Sequence, residues 1–347
     1  MIKRVILILV SAMAVVLVCA AAIAAMIYLR ESGRKGPETP LANYTAEVPG
    51  TGIELEMVYV PGGEFEMGSP EDEPGRDEDE GPVRKVRVNP FWIGKTEVTW
   101  ELYEEYAFKK DSTMLDAVTL PSAKISPTWM LQGAKWLRQQ VELSTKDLDA
   151  ITRPSPYYGD FYHGMGRGKK PAIGMSWINA VTFCKWLSKK TGHSYRLPTE
   201  AEWEFACRAG SSSSYSFGKD VRALDDYGWH EDNSDWETMK VGQSKPNALG
   251  IHDMHGNVWE FCLDMYDPEY LSKLREDNVC DNPRGPKREG KPVLRGGSWD
   301  DSPEALRSAS RLEQLDWWNE RDPQRPRGMW WLVDGNVVGF RVLREVE

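Results

Sequence analysis

Apolar residues follow three regimes along this 347-residue chain. At the amino terminus they are continuous: after Lys3 and Arg4 the chain runs from Val5 to Leu29, 25 residues, without a charge. At 1.5 Å rise per residue such a helix exceeds a hydrocarbon core of roughly 30 Å, so residues 1–30 are expected to form a transmembrane anchor. The small-residue triplets Ala20-Ala21-Ala22 and Ala22-Ile23-Ala24 give the alternative, a cleaved signal and a secreted product. Cys19 follows Val18 where a lipoprotein signal has a small residue, so it reads as a plain membrane cysteine. Lys3 and Arg4 on one flank face Arg30, Arg34 and Lys35 on the other, and the charge rule leaves orientation open. The very short amino-terminal tail favours an extracytoplasmic domain. Residues 31–50 are polar, with Gly and Pro and no apolar periodicity, and read as a linker; residues 51–347 read as one domain.

The second regime is short alternation. Leu55 to Val60, the turn signal Pro61-Gly62-Gly63 and Phe65 to Met67 outline a hairpin, and Arg84 to Val88 alternates as a strand does. Between them the acidic run Glu71 to Glu80 reads as a solvated loop. Val293 to Leu294 and Val337 to Leu343 are later strand candidates. The third regime is helical. Thr99 precedes a helix from Trp100 to about Tyr106, with Val98 and Tyr103 spaced as a hydrophobic staple. Ser176 precedes Trp177 to Lys190, which Gly192 follows. Thr199 and Glu202 form a capping box for Glu200 to about Arg208, with Gly210 as the stop. A mixed α+β domain with much irregular structure results, without an internal repeat of 20 to 50 residues.

Composition adds limits. With 41% hydrophobic residues, 15 Trp and 9 Phe there is material for a large core, and 30 Gly with 22 Pro point to many loops. A net charge of −10 argues against nucleic acid as partner, because phosphate binding is driven by concentrated Lys and Arg. Of the thiols beyond the apolar segment, Cys184 and Cys207 fall on core-facing helix positions and read as buried; with Cys262 and Cys280 they permit three pairings or none, and their spacing fits no zinc pattern.

Six segments occur in an order that resembles the formylglycine-generating enzyme, or sulfatase-modifying factor, family. They are MVYVPGGEFEMGS (57–69), FWIGKTEVTWELYEEY (91–106), the run from Pro171 to Gly210, PNALGIHDMHGNVWEF (246–261), RGGSW (295–299) and GFRV (339–342). The stretches near Ala107 to Lys170 and Tyr266 to Lys291 are atypical. The resemblance implies a C-type-lectin-like fold with little regular secondary structure, often stabilised by calcium. It also implies a copper centre in which two cysteines shortly after the GGS segment use oxygen to convert a sulfatase cysteine into formylglycine. Copper(I) is soft and prefers thiolates. Counted from Ser298, those positions fall on Asp301 and Leu306, and no cysteine follows Cys280, so copper is not expected.

Around the altered centre stand Trp259, Ser298, Trp299, Asp300 and Asp301. Asp300, Asp301 and Glu304 lie close in sequence to Arg307 and Arg311, and a local salt-bridge network is expected there. The resemblance places a calcium site in DMHGNVWE, with side-chain oxygens from Asp253 and Glu260 and carbonyls from Gly256 and Val258. The family's other calcium site falls near Tyr227 to Asn233, where Trp229 and His230 replace ligands. His230, His252 and His255 read as satisfied surface histidines. Trp317, Trp318, Trp330 and Trp331, near Arg321, Arg325 and Arg327, are candidates for a groove taking a peptide, protein or glycan. The expected function is a membrane-tethered binding module without formylglycine-generating activity. The alternative is a divergent oxidase, which needs Cys262 or Cys280 at the GGSW turn, or other chemistry there.

Overall fold

A computed structural model describes residues 41–107, 159–276, 278–285, 290–323 and 330–346. The expected membrane segment, the first half of the linker, Arg325 and Arg327 lie outside these residues; among the described residues no helix is long and apolar enough to cross a membrane. Strands form three sheets. The first runs β1 (Tyr44–Val48), β2 (Ile53–Val60), β5 (Phe91–Gly94), β12 (Leu343–Glu345) and β6 (Tyr195–Arg196). The second runs β10 (Arg311–Glu313), β9 (Pro292–Arg295), β7 (Trp259–Met265) and β11 (Val338–Gly339). The third runs β3 (Gly63–Met67), β4 (Arg84–Val88) and β8 (Cys280–Asp281).

Several expectations change at the level of pairing. Residues 44–48, expected in the linker, pair along the whole of β1 with β2, from Tyr44 against Met57 to Val48 against Ile53. The expected hairpin is not one, because β2 pairs with β5 and β3 pairs with β4. Pro61 and Gly62 instead carry the chain from one sheet to the next. Gly62 has φ +70°, and a Cβ there would lie 2.5 Å from the Val88 carbonyl oxygen, so the crossing demands glycine. The segment Val337 to Leu343 is split into β11 and β12, since Arg341 between them leaves the ladder and turns its guanidinium onto Glu260.

The helices follow the sequence closely. Helix α1 spans Trp100–Ala107, α2 Trp177–Thr191 and α3 Glu200–Arg208. Ser176 accepts from Asn179 N–H, and Gly192 closes α2 at φ 78°. The capping box of α3 has both its bonds, and the left-handed closing residue is Ala209, one before the expected Gly210. Two apolar clusters fill the interior. One joins Tyr103, Tyr106 and Phe183 to Trp331 and Phe340; the other joins Trp203, Cys207 and Cys262 to Val293. Cys184, Cys207, Cys262 and Cys280 are all free thiols.

Candidate functional site

The GGSW turn is held from below by buried arginines. Helix α3 presents Glu200 and Glu204, each 1% exposed. Arg311 sets its guanidinium across Glu200 at 2.6 and 3.1 Å. Arg295 binds Glu204 and donates to the Ala309 and Ser310 carbonyls, each at 2.7 Å. Arg307 reaches in the other direction, to both oxygens of Glu80 at 2.6 Å and to Glu73 at 3.0 Å. Burial pushes the Glu80 carboxyl up, but the bonds and charge of Arg307 outweigh it and hold it below the usual range. The expected local network therefore does not form. The arginines bind carboxylates far away in sequence, and part of the acidic run is a buried strap rather than a solvated loop.

On this support the turn adopts φ +102° at Gly296 and +75° at Gly297. A Cβ on Gly297 would sit 2.5 Å from Leu306 Cδ1, so Leu306 packs directly against the turn and is fully buried. Asp301 folds back over it. One carboxylate oxygen accepts from Trp259 Nε1 at 2.8 Å, from Ser298 N–H at 3.0 Å and from the Ser298 hydroxyl. Burial raises the Asp301 pKa despite these donors. Burial likewise raises Asp300, for which no charged partner contributes. Trp299 is anchored by its N–H to the Asn257 carbonyl at 3.0 Å.

A cleft of about 490 Å³ opens over the turn, with Asp77, Trp259, Asp300, Asp301, Glu304 and Trp317 in its wall. Its described lining holds no sulfur. Cys262 is buried in the second apolar cluster, and Cys280 lies on β8 with its Sγ 3.9 Å from the Arg275 carbonyl. Asp301 and Leu306, on which the resemblance places the copper pair, are a hydrogen-bonded carboxylate and a buried aliphatic side chain. This donor set does not fit copper(I).

The calcium residues are differently engaged from the expectation. Both oxygens of Glu260 bind Arg341 at 2.6 Å, and one also accepts from Trp203 Nε1 at 2.8 Å. Asp253 accepts from Gly242 N–H at 2.6 Å and Ser244 Oγ at 2.7 Å; the Gly256 carbonyl accepts from Val258 N–H at 2.9 Å. Among the described residues no three His, Cys, Asp or Glu side chains are placed to hold a metal ion. Calcium takes six to eight oxygens, and this set, closed by a guanidinium, does not fit it. The sequence reading missed Glu97. Its Oε1 accepts from Asn257 Nδ2 at 3.0 Å, while its Oε2 is buried without a partner. Burial, then the charge of Asp253, push its pKa well above its ordinary value. Its place before a buried valine gave no signal; only the fold brings it to Asp253.

Two of the three histidines expected at the surface, His230 and His255, are buried. His255 is buried, with Nδ1 2.8 Å from the Leu306 carbonyl and Nε2 accepting from Ser216 N–H at 3.1 Å. A carbonyl only accepts, so Nδ1 carries the hydrogen, and burial pushes the pKa down to about 4. His230 is buried against Asp225 at 2.8 Å. His252, half-buried, meets the Ser244 carbonyl at 2.8 Å. Of the four candidate tryptophans, Trp318, Trp330 and Trp331 are buried and Trp317 is 50% exposed. Only Trp317 and Trp318 reach the cleft. Arg321 is paired with Asp334.

A family model described as the sulfatase-modifying factor enzyme 1-like domain matches residues 46–322. The chain is 30% identical over 273 residues to a formylglycine-generating enzyme of Streptomyces coelicolor, covering 70% of this chain and 78% of that one. It is 28% identical over 245 residues to the inactive C-alpha-formylglycine-generating enzyme 2 of Bos taurus, covering 62% of this chain and 73% of that one. The solved structure of PvdO from Pseudomonas aeruginosa aligns at 28% identity with a TM-score of 0.56, covering 90% of this chain and 99% of that one.

Proposed function

The chain belongs to the sulfatase-modifying factor enzyme 1-like family, and from that premise we propose that it is a binding member that has exchanged the copper centre for a ligand cleft. The observation that carries this reading is the pair Asp301 and Leu306. One is a carboxylate fixed by three donors, the other a core side chain, and neither position supplies a thiolate to the cleft. A relative named as inactive is consistent with such a loss.

The cleft wall favours a cationic ligand. Asp77, Asp300, Asp301 and Glu304 line it, whereas the guanidinium groups of Arg307 and Arg311 are already committed to Glu73, Glu80 and Glu200. Half-exposed Trp317 offers a ring face to an ammonium or guanidinium group. A peptide or protein ligand entering with a basic side chain meets both features, and a neutral glycan meets only the ring. In this reading residues 1–30 tether the domain to a membrane and present the cleft outside the cytoplasm. Titration of the full-length chain with N-acetyl-lysinamide and N-acetyl-argininamide tests the ligand class. Saturable binding that weakens at least fivefold in Asp300→Asn supports it. Equal binding of the uncharged N-acetyl-norleucinamide contradicts it.

A further inference from the structure

The atypical stretch from Tyr266 to Lys291 is pinned to the rest of the fold at a buried point away from the GGSW cleft. One carboxylate oxygen of Asp264, buried near the end of β7, accepts from the N–H of Glu200, the first residue of α3, at 2.6 Å. The other accepts from Gly285 N–H. Gly285 is buried too, and a Cβ there would lie 2.6 Å from Asp264 Cβ, so this approach demands glycine. Elsewhere the segment 278–285 leans on β4 and its end. Cys280 and Asp281 of β8 lie opposite Val86 and Arg87, and Asn282 bonds to Arg87 and Asn89, each at 2.7 Å. Asn282 and Arg284 line a second cleft of about 250 Å³, with Arg196, Thr199 and Glu202 also in its wall.

Among the described residues Asp264 has no ion-pair partner, and the charges that act on it are those of Glu200 and Glu202 in α3. Cys262 on its own strand and Tyr270 on the helix Tyr270–Lys273 also feel its charge. Arg311 and Arg295 lie on Glu200, and Arg196 lies on Glu202. Against the effect of burial, these arginines hold both glutamates below the usual range, whereas burial pushes the Cys262 thiol and the Tyr270 hydroxyl up. Asp79, raised by burial, is bonded to Arg311 and Tyr266 and not to the segment. Burial, opposed by the two N–H bonds and reinforced by the charge of Glu200, takes Asp264 from 3.8 up to about 7.

We infer that Asp264 is a pH-operated latch: in its neutral form it holds the segment 278–285 against α3, and its ionisation releases the segment and opens the cleft that Asn282 and Arg284 line. A carboxyl that ionises less readily in the closed state than in water favours closure in acid, because opening must then give up a bound proton. Each unit of pH between about 4 and about 7 therefore makes opening roughly tenfold easier, and above 7 the effect levels off.

The test is hydrogen exchange of the full-length chain in detergent at pH 5, 6, 7 and 8, read by mass spectrometry over 278–285 and over β9 and corrected for intrinsic rates. Protection of 278–285 is expected to fall about tenfold per unit from pH 5 to 7 and to level off by pH 8, with β9 more protected throughout. Asp264→Asn cannot ionise and is expected to abolish that dependence. Gly285→Ala wedges the segment away from Asp264. It is expected to lower protection of 278–285 at least tenfold at pH 5 and to flatten its pH dependence, while β9 changes less than twofold. Since this variant keeps Asp264, it decides the matter even where the Asn variant does not fold. Protection of 278–285 that is constant or rises with pH in the parent chain, a pH dependence that persists in Asp264→Asn, or equal loss over β9 and 278–285 in Gly285→Ala would each overturn the inference.

Discussion

Two buried side chains, Glu97 and His255, contribute to the pH response at the residue scale. Glu97 has a folded pKa well above its ordinary value, so between the two values the folded state holds a proton that the unfolded state has released. Its contribution to stability is present below the unfolded pKa and is lost as pH rises through the folded one. Gln at position 97 stays neutral and can still accept from Asn257 through its carbonyl oxygen. Relative to the parent, Glu97→Gln should therefore gain stability with rising pH, at up to about 1.4 kcal/mol per unit within that window. Urea unfolding of both proteins at pH 5 and pH 8 measures the difference, and a difference independent of pH contradicts a proton on Glu97. His255 works with the opposite sign. Its pKa falls from 6.5 to about 4, so the unfolded chain binds the extra proton and stability drops as pH falls through that interval. Replacement of His255 by Gln should flatten the acid limb of the stability profile between pH 6.5 and 4. Neither residue was legible beforehand: Glu97 looks like any acid between strand and helix, and His255 looks like a loop histidine until Leu306 and Ser216 close over it.

At the scale of elements, local chemistry was readable and long-range pairing was not. The caps of α2 and α3 are specified within four residues, because Ser176 and Thr199 satisfy N–H groups of their own first turns. The acidic strap is bonded to Arg307 across more than 200 residues and Arg295, at the start of the GGSW segment, to Glu204 across 91, and no spacing rule reaches that far. The closeness of Asp300, Glu304, Arg307 and Arg311 in sequence suggested mutual pairing. Their guanidinium groups instead bind carboxylates of the strap and of α3, and Asp301 on the cleft wall takes its bonds from Trp259 and Ser298. Removing Arg307 leaves Glu73 and Glu80 buried without compensation, so Arg307→Met should destabilise the protein by about 3–5 kcal/mol. Denaturant unfolding checks this, and a loss below about 1 kcal/mol contradicts a burden-bearing pair. The same accounting applies to the loop from Asp253 to Glu260. Arg341 supplies the charge that calcium was expected to supply, so addition of excess EGTA should leave the thermal midpoint unmoved. A calcium-dependent rise would show that the loop rearranges around the ion.

For the whole molecule, the family and the mixed helix–sheet architecture could be read from six segments in one order, most of them carrying buried aromatics. That no cysteine follows Cys280 was equally plain. The occupants of the vacated positions required coordinates: only the fold shows Asp301 tied to Trp259 and Ser298, and Leu306 under Gly297. Sequence spacing left open whether Cys262 or Cys280 returns to the turn, and the structure places one in an apolar cluster and the other on a separate sheet. The measurement that tests the central claim most directly is co-expression of the full-length chain with a cysteine-type sulfatase under aerobic, copper-replete conditions, followed by mass spectrometry of the sulfatase active-site peptide. The account predicts an unmodified cysteine. Conversion of that cysteine to formylglycine, dependent on this chain, would contradict it.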